Sequence, residues 1–466
     1  MLAAASTFGK NGSWPVSEKV ETFDRRGMRD ARLSISCGLS IMILKRLLLL
    51  AVCCGMFHPR LAAAQSPSAT INSATSRGPM SLAEFESLSW QHNPTLSQAN
   101  ARIQAAQGKW LQDGLYPNPK LSYKGDEMGN GRTAGFQGWA ISQEIVTSNK
   151  LGLNQAVAEQ RTRQAQFELS AQEWRVRNDV RIQFYNLLLA QRSVELNLEL
   201  YKVSQAVAKT ARDLYKAEEV SKIDVLQTKI EADMVEIQTE KSRQAYLSAW
   251  RKLTSVVGVT ELAPTYVTGD LKDGVVELDW ETALQKLLSG SPELCAAFAK
   301  LEAARWTVQR AYAERHPNVE VEVGRSHDNI SGFDVTNVMV GIPLPIFNRN
   351  QGGIQQAQGE LMAAQADVER LSLELRQRLS GTFERYANAR EQVKRYERDI
   401  LPNAEESLKL VNSGYKAGET AFTVVLTAQR TFLQSKTAHL DALRDLRESS
   451  VLIEGLLLMD SLQAAK

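Results

Sequence analysis

Cysteine is scarce in this 466-residue chain: there are four. Cys37, Cys53 and Cys54 lie near the start, which leaves Cys295 alone in the rest. One thiol forms no internal disulfide, and no Cys or His spacing marks a metal site. Charge of one sign is also missing. The formal net charge is +2, without the basic excess of a nucleic-acid binder. Catalytic signatures are absent: there is no Walker A loop, no Gly-x-Ser-x-Gly and no His-Glu-x-x-His. His92, His316, His327 and His439 are scattered along the chain. An enzyme is therefore not expected, nor a cofactor or resident metal. Apolar content is ordinary at 43%, so a bundle of membrane helices is not implied. The most informative absence is proline, which is missing from 151 to 263 and occurs after 351 only as Pro402. Proline breaks helix interiors, so both stretches are free to form very long helices.

One short apolar run is present. Lys45 and Arg46 precede it, and it extends from Leu47 to Phe57 before Leu61-Ala62-Ala63-Ala64-Gln65. A basic start, a short apolar core and an Ala-x-Ala end make a secretory signal peptide. The run is too short to span a bilayer as a helix, which takes about 20 residues. Residues 42–64 are read as the signal, cleaved after Ala64, and Met42 as its start. Residues 1–41 are then an upstream extension outside the mature protein, and 65–80 a flexible mature N-terminus. Val52 is a poor residue to precede an acylated Cys53.

The remainder contains itself twice. At an offset of 200 residues, Pro117-Asn118 matches Pro317-Asn318 and Gly152 matches Gly352. Tyr215-Lys216-Ala217-Glu218-Glu219 matches Tyr415-Lys416-Ala417-Gly418-Glu419, and Val225-Leu226 matches Val425-Leu426. The copies are placed at 81–280 and 281–460, with a short tail at 461–466. Each begins with a helix, near 81–113 and 279–314, interrupted at Asn93-Pro94 and Ser291-Pro292. Each continues with two strands: 119–128 and 134–146 around a turn at 129–131, then 319–327 and 334–347 around 328–332. Each ends in a long helix that turns near 217–222 or 417–422 and returns.

The strands alternate. Val319, Val321 and Val323 oppose Glu320 and Glu322, while Val338, Val340, Ile342 and Leu344 repeat the pattern. Trp139 and Ile141 do so against Ala140 and Ser142. Period two gives one apolar and one polar face. About ten residues suit a tilted crossing of a bilayer. A soluble hairpin with one buried face is the alternative that the local pattern leaves open. In the first long helix Val180, Leu187, Val194, Tyr201, Ala208 and Tyr215 recur every seven residues, as do Ile182, Leu189, Leu196 and Val203. The two series stand roughly 200° apart, so the helix has two apolar seams on nearly opposite sides. That suits either a wall of helices or the centre of a bundle. From 151 to 217 such a helix runs roughly 100 Å. Pro402 is expected to kink its counterpart. Four strands cannot close a barrel in lipid, and eight is the smallest number seen. Two chains would give eight strands and a filled interior, whereas three would give twelve and room for a pore.

These features together resemble the outer-membrane efflux protein family, the TolC-like channels, over residues 81–460. The resemblance rests on Tyr116-Pro117-Asn118-Pro119, on Gly341-Ile342-Pro343-Leu344-Pro345-Ile346-Phe347-Asn348 and on the two repeated helical turns. It implies a mainly α chain with membrane β: a homotrimer whose 12-stranded β-barrel in outer-membrane lipid continues into a periplasmic 12-helix α-barrel. It implies as partners a periplasmic adaptor and an inner-membrane pump. The Gly341–Asn348 segment is similar to the heavy-metal subgroup served by resistance-nodulation-division pumps. The resemblance further implies an adaptor contact at the helical turns, here Ala217, Glu218, Glu219, Val220, Ser221, Ala417, Gly418, Glu419 and Thr420. Some family members carry two aspartates past the second turn as an acidic gate. This chain has Val424 and Thr427 there, which leaves Asp224 and Glu419 as candidates for an acidic pore ring. Drug efflux, polypeptide secretion and a periplasmic coiled-coil scaffold are the competing expectations.

Overall fold

The computed structural model describes residues 78–128, 134–272 and 276–463, all within one unit, Ser73–Lys466. The upstream extension, the signal peptide, the 129–131 turn and residues 464–466 lie outside the described residues.

A two-residue strand β1 (Met80–Ser81) leads into α1 (Leu82–His92) and α2 (Pro94–Asp113). Then come β2 (Lys120–Met128), β3 (Ala134–Ile145), α3 (Lys150–Lys216) and α4 (Lys222–Val257). A short strand β4 (Val267–Thr268) pairs in parallel with β1. The second copy follows as α5 (Trp280–Gly290), α6 (Pro292–Ala313), β5 (Val319–Asp328), β6 (Asp334–Gly341) and α7 (Gln351–Arg395). A π-helical turn (Tyr396–Ile400), α8 (Leu401–Lys416) and α9 (Phe422–Glu454) complete it. The order of elements is thus given twice, as the repeat implies.

Capping explains the early interruptions. Asn93 ends α1 and caps α2, its side chain accepting from the Thr95 amide at 2.9 Å with Pro94 in the first turn. Ser291 does the same for α6, accepting from the Leu294 amide, with Pro292 in the first turn. A polar cap followed by proline suits a helix start, because the first turn has amides to cap and none that proline removes. Asn149 and Asn350 precede the two long helices in the left-handed region, at φ 51° and 57°. A β-carbon on Gly152 would fall 2.5 Å from the Asn149 Oδ1, and one on Gly353 2.3 Å from that of Asn350. The structural counterpart of Gly152 is therefore Gly353. The sequence pairing with Gly352 is off by one, because the offset at this junction is 201 residues.

The four main strands form one antiparallel sheet in the order β2-β3-β5-β6. Leu121, Ile141, Val323 and Val338 are neighbours in one row across it. β6 ends at Gly341, short of the expected 347. Pro343 and Pro345 have no amide to donate, so the ladder stops before them.

α3 is 67 residues long, close to the expected span. It packs on α4 along its length, on α2 and α6 toward its start, and on α9. α9 also packs on α7 and α8. The chain thus forms a wall of paired helices, not a bundle around one central rod. Where the two pairs meet, the Arg430 guanidinium contacts Glu231 at 3.0 Å. The core lies where α1, α2, α5 and α6 wrap the long helices. Phe85 is fully buried there, with its ring 6.0 Å from both Phe184 and Trp250. The Tyr386 hydroxyl donates to the Val276 carbonyl and accepts from the Leu278 amide, which fixes the linker between copies. The kink expected at Pro402 appears as the π turn just before it. Proline lacks the amide that would bond four residues back, and a wider turn accommodates the gap.

Candidate functional site

The sheet is turned inside out relative to a water-soluble one. In the apolar row, Leu121 is 68% exposed, Ile141 57%, Val323 49% and Val338 67%. On the other face Ala140 is 3% exposed and Ser142 8%. Soluble antiparallel sheets bury the apolar face and wet the polar one. Here only small residues are buried, while valines, isoleucines and leucines stand open. In the next row Tyr123 and Trp139 pair edge-to-face at 5.1 Å, also exposed. Arg325 shares that row and His327 lies in the row beyond, and both contact Asp334. An apolar band edged by aromatics and charge is the pattern of a sheet facing lipid.

The opposite face has its own chemistry. Asp126, Glu144, Glu320, Glu322 and Asp328 share it with Lys120 and Lys124, five acids against two bases. Lys124 pairs with Glu322, and the Asn318 amide donates to Glu144 at 2.7 Å. Lys150, 3% exposed, reaches Asn318 Oδ1 at 2.8 Å and ties the first long helix to the strand of the other copy.

The two helical turns share one construction. The Glu219 amide donates to the Leu214 carbonyl and the Glu218 amide to Tyr215; the Glu419 amide donates to Gly414 and that of Gly418 to Tyr415. Both are Schellman closures, with the pivotal residue left-handed: Glu218 at φ 62° and Gly418 at φ 77°. The flanks differ. Ser221 and Asp224 form a reciprocal capping box on α4, the Ser221 hydroxyl donating to the carboxylate at 2.8 Å. In the second copy Ala421 and Val424 stand in their places, and α9 has no side-chain cap. Tyr415, Phe422 and Val425 form a small core at the second turn, whereas Tyr215 is 45% exposed. The buried Tyr415 hydroxyl makes no hydrogen bond within the described chain. Burial first, and then the charge of Asp224, push its phenol up.

Of the predicted tip residues, Ala217, Glu218, Glu219, Ser221, Ala417, Gly418 and Glu419 are exposed, with Val220 and Thr420 half-buried. The carboxylate of Asp224 is engaged in its own helix cap. The capping role was readable from Ser221-x-x-Asp224, which sequence reasoning passed over. Residues 209–224 hold four basic and four acidic side chains, and 409–424 hold two and one, so the tip carries no acidic excess. Among the described residues no group of three or more His, Cys, Asp or Glu is placed to hold a metal ion, and no helix is long and apolar enough to cross a membrane.

Both edges of the wall are open. β2 and β6 each lack an outer partner among the described strands. On α4, Ile223, Leu226, Ile230, Met234 and Ile237 are exposed at helical spacing, a stripe within roughly 80° of arc.

A family model described as outer membrane efflux protein matches residues 87–259 and 283–457. The cobalt-zinc-cadmium resistance protein CzcC of Cupriavidus metallidurans is 26% identical over 424 residues, spanning 89% of this chain and all of that one. The solved structure of the channel CusC superposes with a TM-score of 0.71 at 18% identity, covering 84% of this chain and 96% of that one. The outer membrane protein VceC of Vibrio cholerae superposes at 0.68 and 18% identity, covering 81% and 96%. Two matched segments that take up most of the chain, on a fold shared with solved outer-membrane channels, show that it belongs to the outer membrane efflux protein family.

Proposed function

We propose that this efflux channel works as a homotrimer and carries heavy-metal cations from a resistance-nodulation-division pump and its periplasmic adaptor to the exterior. One observation carries the reading: the sheet leaves a continuous apolar row open on one face and gathers its charged residues on the other. Three such sheets, joined edge to edge through β2 and β6, make twelve strands with lipid outside and water inside. The same joint covers the exposed stripe of α4 with a neighbouring chain's helix. A periplasmic scaffold has no use for an open apolar sheet.

The cation cargo is supported by the kinship with CzcC and by the charged face of the strands. Five acids against two lysines leave three negative charges per chain there, and an acidic lining favours cations. The tips carry the adaptor contact, through residues 217–221 and 417–420. Asp224 and Glu419 are the acids proposed nearest the constriction. The duct moves nothing by its own chemistry: it supplies a sealed path, and the pump supplies energy.

The test is growth of a deletion strain, with and without the gene restored, on graded zinc, cobalt, cadmium, nickel, copper and silver salts beside a panel of hydrophobic drugs. Sensitivity confined to metals supports the cargo and names it. Sensitivity confined to drugs overturns the cargo and leaves the channel standing.

A further inference from the structure

The two copies differ where the second strand gives way to the long helix. In the first copy Val146, Thr147 and Ser148 fill the interval between Ile145 and Asn149. By hairpin register Ile145 corresponds to Leu344, since Leu121 pairs with Ile141 and Val321 with Val340. Asn149 corresponds to Asn350, its left-handed counterpart. The second copy therefore fills the same interval with five residues, Pro345-Ile346-Phe347-Asn348-Arg349, two more than the first. The additional length carries Ile346 and Phe347, which are 64% and 89% exposed.

We infer that this knuckle is a membrane-interface anchor, lodged among the phospholipid headgroups and upper acyl chains of the periplasmic leaflet. The inference rests on the channel reading above. Three observations point to lipid. Val338, Val340, Ile342 and Leu344 continue one outward row from the sheet into the knuckle, so its apolar surface is continuous with the lipid-facing one. Much of its backbone offers no free donor. The Ile346 amide donates to the Leu344 carbonyl, the Arg349 amide to Gln351 Oε1 and the Asn350 amide to Asn348 Oδ1, while Pro343 and Pro345 have no amide. A segment with few free donors enters a dry interface at little cost and is a poor template for another strand.

The third observation is a second exposed aromatic at the base of the sheet. Tyr116, 67% exposed, immediately precedes Pro117, and Pro117 and Pro343 line one small cavity at the base of the sheet. Aromatic side chains gather at the bilayer boundary, and Arg349 is placed to meet lipid phosphate. Phe347 and Tyr116 then mark the periplasmic edge of the apolar band, as Tyr123 and Trp139 mark the far edge.

Site-directed spin labelling tests this. In a Cys295→Ser background, Phe347→Cys, Val340→Cys and Glu219→Cys are labelled with a nitroxide. The full protein is reconstituted into phosphatidylethanolamine–phosphatidylglycerol vesicles. Collision with lipid-soluble oxygen and with a water-soluble nickel chelate is then measured. The label at 347 is expected to favour oxygen, less strongly than that at 340, while that at 219 favours the chelate. A label at 347 as open to the chelate as that at 219 overturns the anchor. So does one immobile and closed to both reagents, which places Phe347 against a neighbouring chain. Either result leaves the channel intact provided 340 favours oxygen. A label at 340 that favours the chelate removes the membrane reading, and the anchor with it.

Discussion

Replacing Glu218 by glycine should stabilise the first helical turn. Glu218 sits at φ 62° where its counterpart is Gly418 at φ 77°. A side chain in the left-handed region costs about 1–2 kcal/mol, through contact of the β-carbon with the following carbonyl. Glycine removes that cost but frees the unfolded chain, which takes back about 0.4–1 kcal/mol. The net gain is about 0.5–1 kcal/mol, or a two- to fivefold slower opening of the turn. The mirror change, Gly418→Ala, introduces a β-carbon into open space, so only the backbone term applies. It should speed opening of the second turn by a similar factor. The assay is hydrogen–deuterium exchange of peptides covering 211–224 and 411–424 in detergent-solubilised protein. A Glu218→Asn variant, whose side chain tolerates this region, should fall between wild type and glycine. Faster exchange at the first turn in Glu218→Gly, or equal slowing at both turns, would refute the reasoning.

Phe85→Ala removes a ring packed on Phe184 and Trp250 and should cost about 3–5 kcal/mol, seen as a lower thermal midpoint. Val340→Arg on the apolar face should sharply lower recovery from the outer membrane, at about 2–4 kcal/mol per chain, whereas Asn337→Arg on the opposite, charged face should be tolerated. His439 gives a pH dependence. Burial lowers its pKa below 6.5, despite Glu397 at 3.2 Å. Burial pushes Glu397 up, but its bonds to Lys272 and His439 outweigh that and hold it down. The directions are compatible because Lys272, not a charged imidazole, keeps Glu397 ionised. Unfolded chains then bind more protons at His439, so stability is complete above pH 6.5 and declines as pH falls toward the folded value. The thermal midpoint should drop over that window in wild type and less in His439→Gln.

Much of this architecture could be read from residue order alone. The 67-residue helix announced itself through missing proline and paired seven-residue seams, since both signals are local to the backbone. The strand faces were legible because period two is insensitive to context. The failures have physical causes. β6 stops at Gly341 because alternation reports which way a side chain points, not whether an amide exists to pair. Gly352 was matched instead of Gly353 because two residues inserted before Asn350 and a one-residue shift in the hairpin register nearly cancel. The cap formed by Asp224 is missed although Ser221-x-x-Asp224 spells it, because the acid draws attention as a charge before it does as a hydrogen-bond acceptor. The small core of Tyr415, Phe422 and Val425 is not announced by the tyrosine, because Tyr215 in the matching motif is exposed.

The π turn before Pro402 bears on how a ring of these chains deforms. One long strut of each chain, α3, runs 67 residues without a break, while its counterpart from Gln351 to Lys416 has a joint near two thirds of its length. In the homotrimer proposed above, three unbroken staves alternate with three that carry this turn. If the wider turn bends more easily than regular helix, force at the tips is taken up there first, and the mouth yields in one triangular set of three. The duplicated gene thus retains its doubled walls while its mechanics follow the number of chains.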